Sequence, residues 1–125
     1  MDGLACPCGS GDEYDACCGR LHDGAPAPTA EALMRARYSA FAVGNLAYLL
    51  GTYHSSSRPG AFSLDPSIQW TRLAVLETED GRLFDSAGTV RFRAVYAREG
   101  KRCVMDETSR FVREDGRWTY VGPVD

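Results

Sequence analysis

Residues 88–113 read Gly88-Thr89-Val90-Arg91-Phe92-Arg93-Ala94-Val95-Tyr96-Ala97-Arg98-Glu99-Gly100-Lys101-Arg102-Cys103-Val104-Met105-Asp106-Glu107-Thr108-Ser109-Arg110-Phe111-Val112-Arg113. Val90, Phe92, Ala94 and Tyr96 alternate with Arg91 and Arg93, the period of two that gives a strand one apolar and one polar face. Glu99-Gly100 is a two-residue hairpin signal, and the run after it alternates again with Cys103, Met105, Glu107, Ser109 and Phe111 on one face. Asp80-Gly81 and Asp115-Gly116 are further hairpin signals, so four antiparallel strands are expected at about 73–79, 88–98, 101–113 and 117–122.

Upstream the texture is helical. Thr29 is placed to cap a helix whose Leu33, Met34, Arg37, Tyr38 and Phe41 fall at spacings of three and four, and Gly44 ends it. Asn45 caps a short second helix over Leu46 to Leu50, closed by Gly51, and Asp65-Pro66 offers a cap and first-turn proline for a third running toward Trp70 and Arg72. Helices followed by an antiparallel meander predict an α+β domain with helices covering one face of a curved sheet.

Residues 1–24 are different. They hold five glycines, four cysteines and no periodic apolar pattern, so no hydrophobic core can form there without a metal. Residues 25–28, Ala-Pro-Ala-Pro, read as an extended linker, because a residue before proline is pushed out of the helical region. The expected organisation is a knuckle at 1–24, a linker at 25–28 and one α+β domain at 29–125.

Cys6, Cys8, Cys17 and Cys18 lie within thirteen residues, in a chain of 125 residues with five cysteines and no basic-then-apolar start resembling a secretory signal. Adjacent cysteines bridge each other poorly, and an odd count leaves one thiol over, so metal is favoured above disulfides. Zinc takes four soft or borderline ligands in a tetrahedron, and a structural site fills all four positions from protein. Cys6, Cys8 and Cys17 supply three; Cys18 or His22 supplies the fourth. One structural Zn²⁺ is therefore the expected cofactor, and a soluble, cytoplasmic protein the expected setting.

Cys6-Pro7-Cys8-Gly9-Ser10-Gly11, Tyr14 and Cys17-Cys18-Gly19 resemble the SEC-C motif, a zinc-binding element. That resemblance implies Cys18 as the fourth ligand. Copies of the motif commonly carry lysines around the tyrosine, whereas this chain has Asp12, Glu13 and Asp15, which removes the basis for a basic docking surface. Leu33-Met34-Arg35-Ala36-Arg37-Tyr38-Ser39-Ala40-Phe41, then Tyr48-Leu49, Thr52, His54 and Trp70, and finally Glu107-Thr108-Ser109-Arg110-Phe111 with Trp118-Thr119-Tyr120 resemble the bacterial YchJ family. The resemblance implies a SEC-C motif joined to a nuclear transport factor 2-like (cystatin-like) domain, a cone-shaped α+β fold.

Two functions compete at this level. In the leading one the knuckle mediates protein interaction in a zinc-binding accessory protein that is not an enzyme, and the conical domain is a scaffold or homodimerisation body. In the rival, Arg37, Tyr38, His54, Trp70, Glu107 and Ser109 line an open cone that binds or transforms a small molecule, His54 and Glu107 exchanging protons. A filled cone with a buried Arg37–Glu107 ion pair is the structural alternative. Cys103 is expected to be a small buried hydrophobe. A net charge of −3 gives no support for nucleic-acid binding, and no run of 18 apolar residues exists to span a membrane.

Overall fold

The structure is a computed structural model and describes residues 4–124. A short hairpin, closed by a bridge between Ala5 and Glu13, leads into a single 3₁₀ turn at Tyr14–Ala16 and helix α1 (Cys18–His22). Helix α2 (Ala30–Val43) and the short α3 (Leu46–Gly51) follow, and four antiparallel strands complete the chain. These are β1 (Ile68–Asp80), β2 (Ala87–Arg98), β3 (Lys101–Glu114) and β4 (Arg117–Pro123).

Local chemistry sets the boundaries. The Thr29 hydroxyl accepts the Ala32 N–H at 3.1 Å and starts α2; Gly44, at φ 81°, ends it in the left-handed conformation. Asn45 caps α3 through its side-chain oxygen. At Glu99-Gly100 and Asp115-Gly116 both residues have positive φ, the twist that joins two right-handed strands with a two-residue turn. Register then follows, with Val90 opposite Ser109, Phe92 opposite Glu107 and Ala94 opposite Met105.

The α+β class holds, but the cone does not. The strands lie in chain order β1-β2-β3-β4, so β1 and β4 are separate edges and the sheet is open rather than curled on itself. Two-residue turns keep β2 to β4 side by side as a meander, in which β1 pairs with β2 and β4 with β3, and no described residue of β4 pairs with β1. The outer edge of β4 is instead met by the segment after α3, through a parallel bridge between Tyr53 and Tyr120.

The helix expected from Asp65-Pro66 toward Trp70 does not form either. Asp65 accepts from the Ser67 N–H and hydroxyl, closing a turn, and β1 starts at Ile68. β-Branched and aromatic residues from Ile68 onward prefer the pleated sheet to a helix.

α2 crosses the sheet and buries Leu33, Met34, Arg37 and Tyr38. The core joins these to Leu73, Val90, Phe92, Phe111 and Trp118, and it also takes in Cys6, Cys8 and Cys18. Side chains of β4 pin both ends of this connection: Trp118 donates to the carbonyl of Pro28, the last linker residue, and Arg117 to that of Gly24, just before the linker.

Candidate metal centre

Four thiols converge at the N-terminus. Cys6 and Cys8 sit on the hairpin, Cys17 at the junction between the 3₁₀ turn and α1, and Cys18 is the first residue of α1. Their sulfurs all lie within 4.8 Å of one another, and Cys8 Sγ and Cys17 Sγ are 3.7 Å apart. A tetrahedral zinc with Zn–S bonds of ~2.3 Å has S···S edges of roughly 3.8 Å, so the spacing suits such an ion. Cys6, Cys8 and Cys18 are buried and Cys17 is half-buried, leaving little access for water. All four are free thiols.

The shell around the sulfurs is built from both knuckle and α2. Ser10 Oγ lies 3.2 Å from Cys17 Sγ, and Ser39 Oγ of α2 lies 3.5 Å from Cys6 Sγ. Arg35 donates to the Cys8 carbonyl at 3.0 Å while its Nε is paired with Glu31, which fixes the guanidinium against the knuckle. A side-chain hydrogen bond from Cys18 lowers the Cys8 thiol to about 4 against the opposing effect of burial, with further help from Ser10 and Cys6. The same bond, reinforced by burial, raises Cys18. Hydrogen bonding among the thiols thus favours the thiolate form of Cys8, the form a metal ligand needs.

His22 stands outside the cluster. Its Nε2 is 2.8 Å from the Ala36 carbonyl, an acceptor only, so Nε2 carries the proton. Its Nδ1 is then left to accept from the Tyr14 hydroxyl at 2.5 Å. Both ring nitrogens are engaged, and the ring packs 4.6 Å from that of Tyr48. His22 is a strut between knuckle and helix rather than a fourth ligand position.

The remaining site candidates divide. Arg37, Tyr38, Trp70, Glu107 and Ser109 line one cavity of about 300 Å³ between α2 and the sheet, with Phe41, Phe92 and Phe111 among its apolar walls. His54 is not there: its Nδ1 meets Ser56 Oγ at 2.7 Å and its Nε2 lies 3.6 Å from Glu114, at the surface beyond β4. Backbone pairing of His54 with Tyr120 carries it past the cavity, so His54 and Glu107 cannot exchange a proton directly.

Arg37 and Glu107 form no ion pair. Arg37 donates to the Leu49 carbonyl and the Thr52 hydroxyl, and its guanidinium lies 4.5 and 4.4 Å from the ring centres of Tyr53 and Tyr120. Its burial lowers its pKa. Glu107 accepts instead from the hydroxyls of Ser109 and Tyr120. Cys103, at the solvent end of β3, is only half-buried, its thiol 3.7 Å from the Lys101 carbonyl.

Residues 29–123 match the family described as "YchJ, middle NTF2-like domain", and residues 5–20 match the SEC-C motif. The chain belongs to the YchJ/UPF0225 family. A UPF0225 protein of Streptomyces coelicolor is 53% identical over 116 residues, covering 92% of this chain and 90% of the relative. One from Corynebacterium glutamicum is 50% identical over 125 residues, covering 98% and 99%. A SEC-C motif containing protein from Rhodopseudomonas palustris, solved in solution, superposes with a TM-score of 0.84 at 34% identity, covering 98% of this chain and all of that one. The crystal structure of a second such protein, from Psychrobacter arcticus, gives 0.78 at 26% identity, covering 95% and 81%. The YchJ/UPF0225 chain thus combines a cysteine cluster able to hold a metal with an open-sheet α+β body.

Arg35 and Ser39 are the support residues that sequence reasoning missed. Arg35 is legible only as the partner of Glu31 one helical turn earlier, and its second contact spans 27 positions. Ser39 has no signature beyond being a small polar residue in a helix.

Proposed function

We propose that Cys6, Cys8, Cys17 and Cys18 hold one Zn²⁺ in a closed structural site, and that the resulting knuckle is the interaction element of a cytoplasmic accessory protein. The observation that carries this reading is the gathering of four sulfurs from two chain segments within 4.8 Å. Four thiolates fill the coordination sphere, so the ion cross-links the chain and leaves no open position for chemistry. Arg35, Ser10 and Ser39 orient the loops that present the sulfurs, which is the usual work of groups around a metal.

The partner fits a basic protein surface. Asp12, Glu13 and Asp15 are exposed on the rim of the knuckle, and zinc with four thiolates carries a net charge of −2. Complementary charge speeds encounter and sets orientation more than it sets affinity.

Native mass spectrometry tests the metal: one zinc per chain is expected, removed by a chelator together with amide protection across residues 5–22. A chain purified from zinc-replete cells without metal, its N-terminus still protected, refutes the site. A pull-down comparing wild type with Cys6→Ser and with Asp12→Lys/Glu13→Lys tests the interaction. Loss of the same partner in both variants is expected; a partner retained by both belongs to the body.

A further inference from the structure

The residues that line the cavity between α2 and the sheet all lie outside the knuckle. Its volume of about 300 Å³ is twice the ~150 Å³ that accommodates benzene in an engineered protein cavity, so it has room for roughly ten to twelve non-hydrogen atoms. Trp70 forms one wall, its ring 5.9 Å from that of Tyr38 and 5.7 Å from that of Phe41. Aromatic faces of this kind attract cations as well as apolar groups.

The polar end of the cavity is a carboxylate without a counter-ion. Both hydroxyl donors to Glu107, Ser109 and Tyr120, reach the same oxygen, Oε2, and no described residue donates to Oε1. No Lys, Arg or His pairs with Glu107 among the described residues. Arg37 also borders the cavity, where its Nη1 donates to Leu49 and Thr52 and its two faces are covered by Tyr53 and Tyr120. Glu107 Oε1 takes no hydrogen bond from a described residue and is not fully buried, so it is free to accept one from a ligand.

From this arrangement we infer that the cavity binds a small primary amine with an aromatic or compact apolar body, its ammonium donating to Glu107 Oε1 and its body against Trp70. The ammonium supplies the missing counter-charge, and the body displaces water from an almost wholly apolar wall. Binding is reversible and involves no covalent step.

Phenethylamine, phenethyl alcohol and phenylacetate share one body and differ in the polar end, so titrating each into the zinc-loaded chain isolates that end. Calorimetry and Trp70 fluorescence are the readouts; Trp118 does not border the cavity. The amine is expected to saturate in the millimolar range or tighter and to bind on the order of tenfold better than the alcohol, with phenylacetate weakest. Glu107→Gln should reduce the amine to the affinity of the alcohol. The wild-type panel decides without any variant: an amine no better than the alcohol, a preference for phenylacetate, or no binding by any of the three overturns the inference. Because the panel reads the body and not the metal, its failure leaves the zinc site standing.

Discussion

Gly19 shows how closely the knuckle is fitted. A Cβ at this position would lie 2.7 Å from the Tyr14 carbonyl oxygen and 2.9 Å from the Tyr14 ring, and backbone cannot move aside as a flexible side chain can. Gly19→Ala is therefore expected to destabilise the metal-loaded knuckle by about 1–3 kcal/mol, seen as faster amide exchange over residues 5–22. In the body, Phe111 is 1% exposed, and Phe111→Ala should cost about 3–5 kcal/mol in a denaturant titration. The cysteines were readable from sequence because four ligands in thirteen positions are a local pattern. Arg37 was readable as a buried charge, but its partners were not. A carbonyl oxygen, a hydroxyl and two tyrosine faces stand where a carboxylate was expected, and nothing in the spacing distinguishes them.

At the scale of elements, α2 carries the molecule. Its stripe of Leu33, Met34, Arg37, Tyr38 and Phe41 is visible in sequence and faces the sheet and the cavity. A second surface, made by Arg35, the Ala36 carbonyl and Ser39, receives the knuckle. Small residues at Ala36 and Ser39 permit the close approach, and such residues look the same on a solvated face. Thr29→Ala removes the cap that starts this helix and should lower stability by about 1 kcal/mol in a thermal melt. Three tyrosines from three elements, Tyr38 of α2, Tyr48 of α3 and Tyr120 of β4, are raised to about 12 from the ordinary 10.0, chiefly by burial. Between those values the unfolded chain releases protons that the folded chain keeps, so stability is full below pH 10 and is lost as pH rises toward 12. Alkaline titration should show part of the tyrosinate absorbance appearing only together with loss of far-ultraviolet ellipticity; complete ionisation of all six tyrosines well below unfolding would contradict this burial.

At the scale of the whole molecule, the knuckle and the body share one core. Cys6, Cys8 and Cys18 are buried with Leu33, Phe92, Phe111 and Trp118, and His22 reaches α2 through the Ala36 carbonyl. Zinc that binds only the folded chain stabilises it by mass action, and a shared core passes that stabilisation to the sheet. Chelation should lower the melting temperature of the entire chain by at least about 5 °C in one calorimetric transition. Two transitions, with an unshifted one for the body, would show the knuckle to be a separate unit. By itself the sequence determined the cysteine set, the caps of α2 and α3, the four strands and their alternation, all of which depend on residues close together in the chain. Tertiary structure alone decided that the sheet stays open, that His54 lies outside the cavity and that His22 is a strut. Those outcomes depend on which distant groups meet, and a hydrogen-bonding group takes whatever partner packing brings to it. The cysteine knuckle is thus written in a local spacing, while its seat on α2 is written only in the fold.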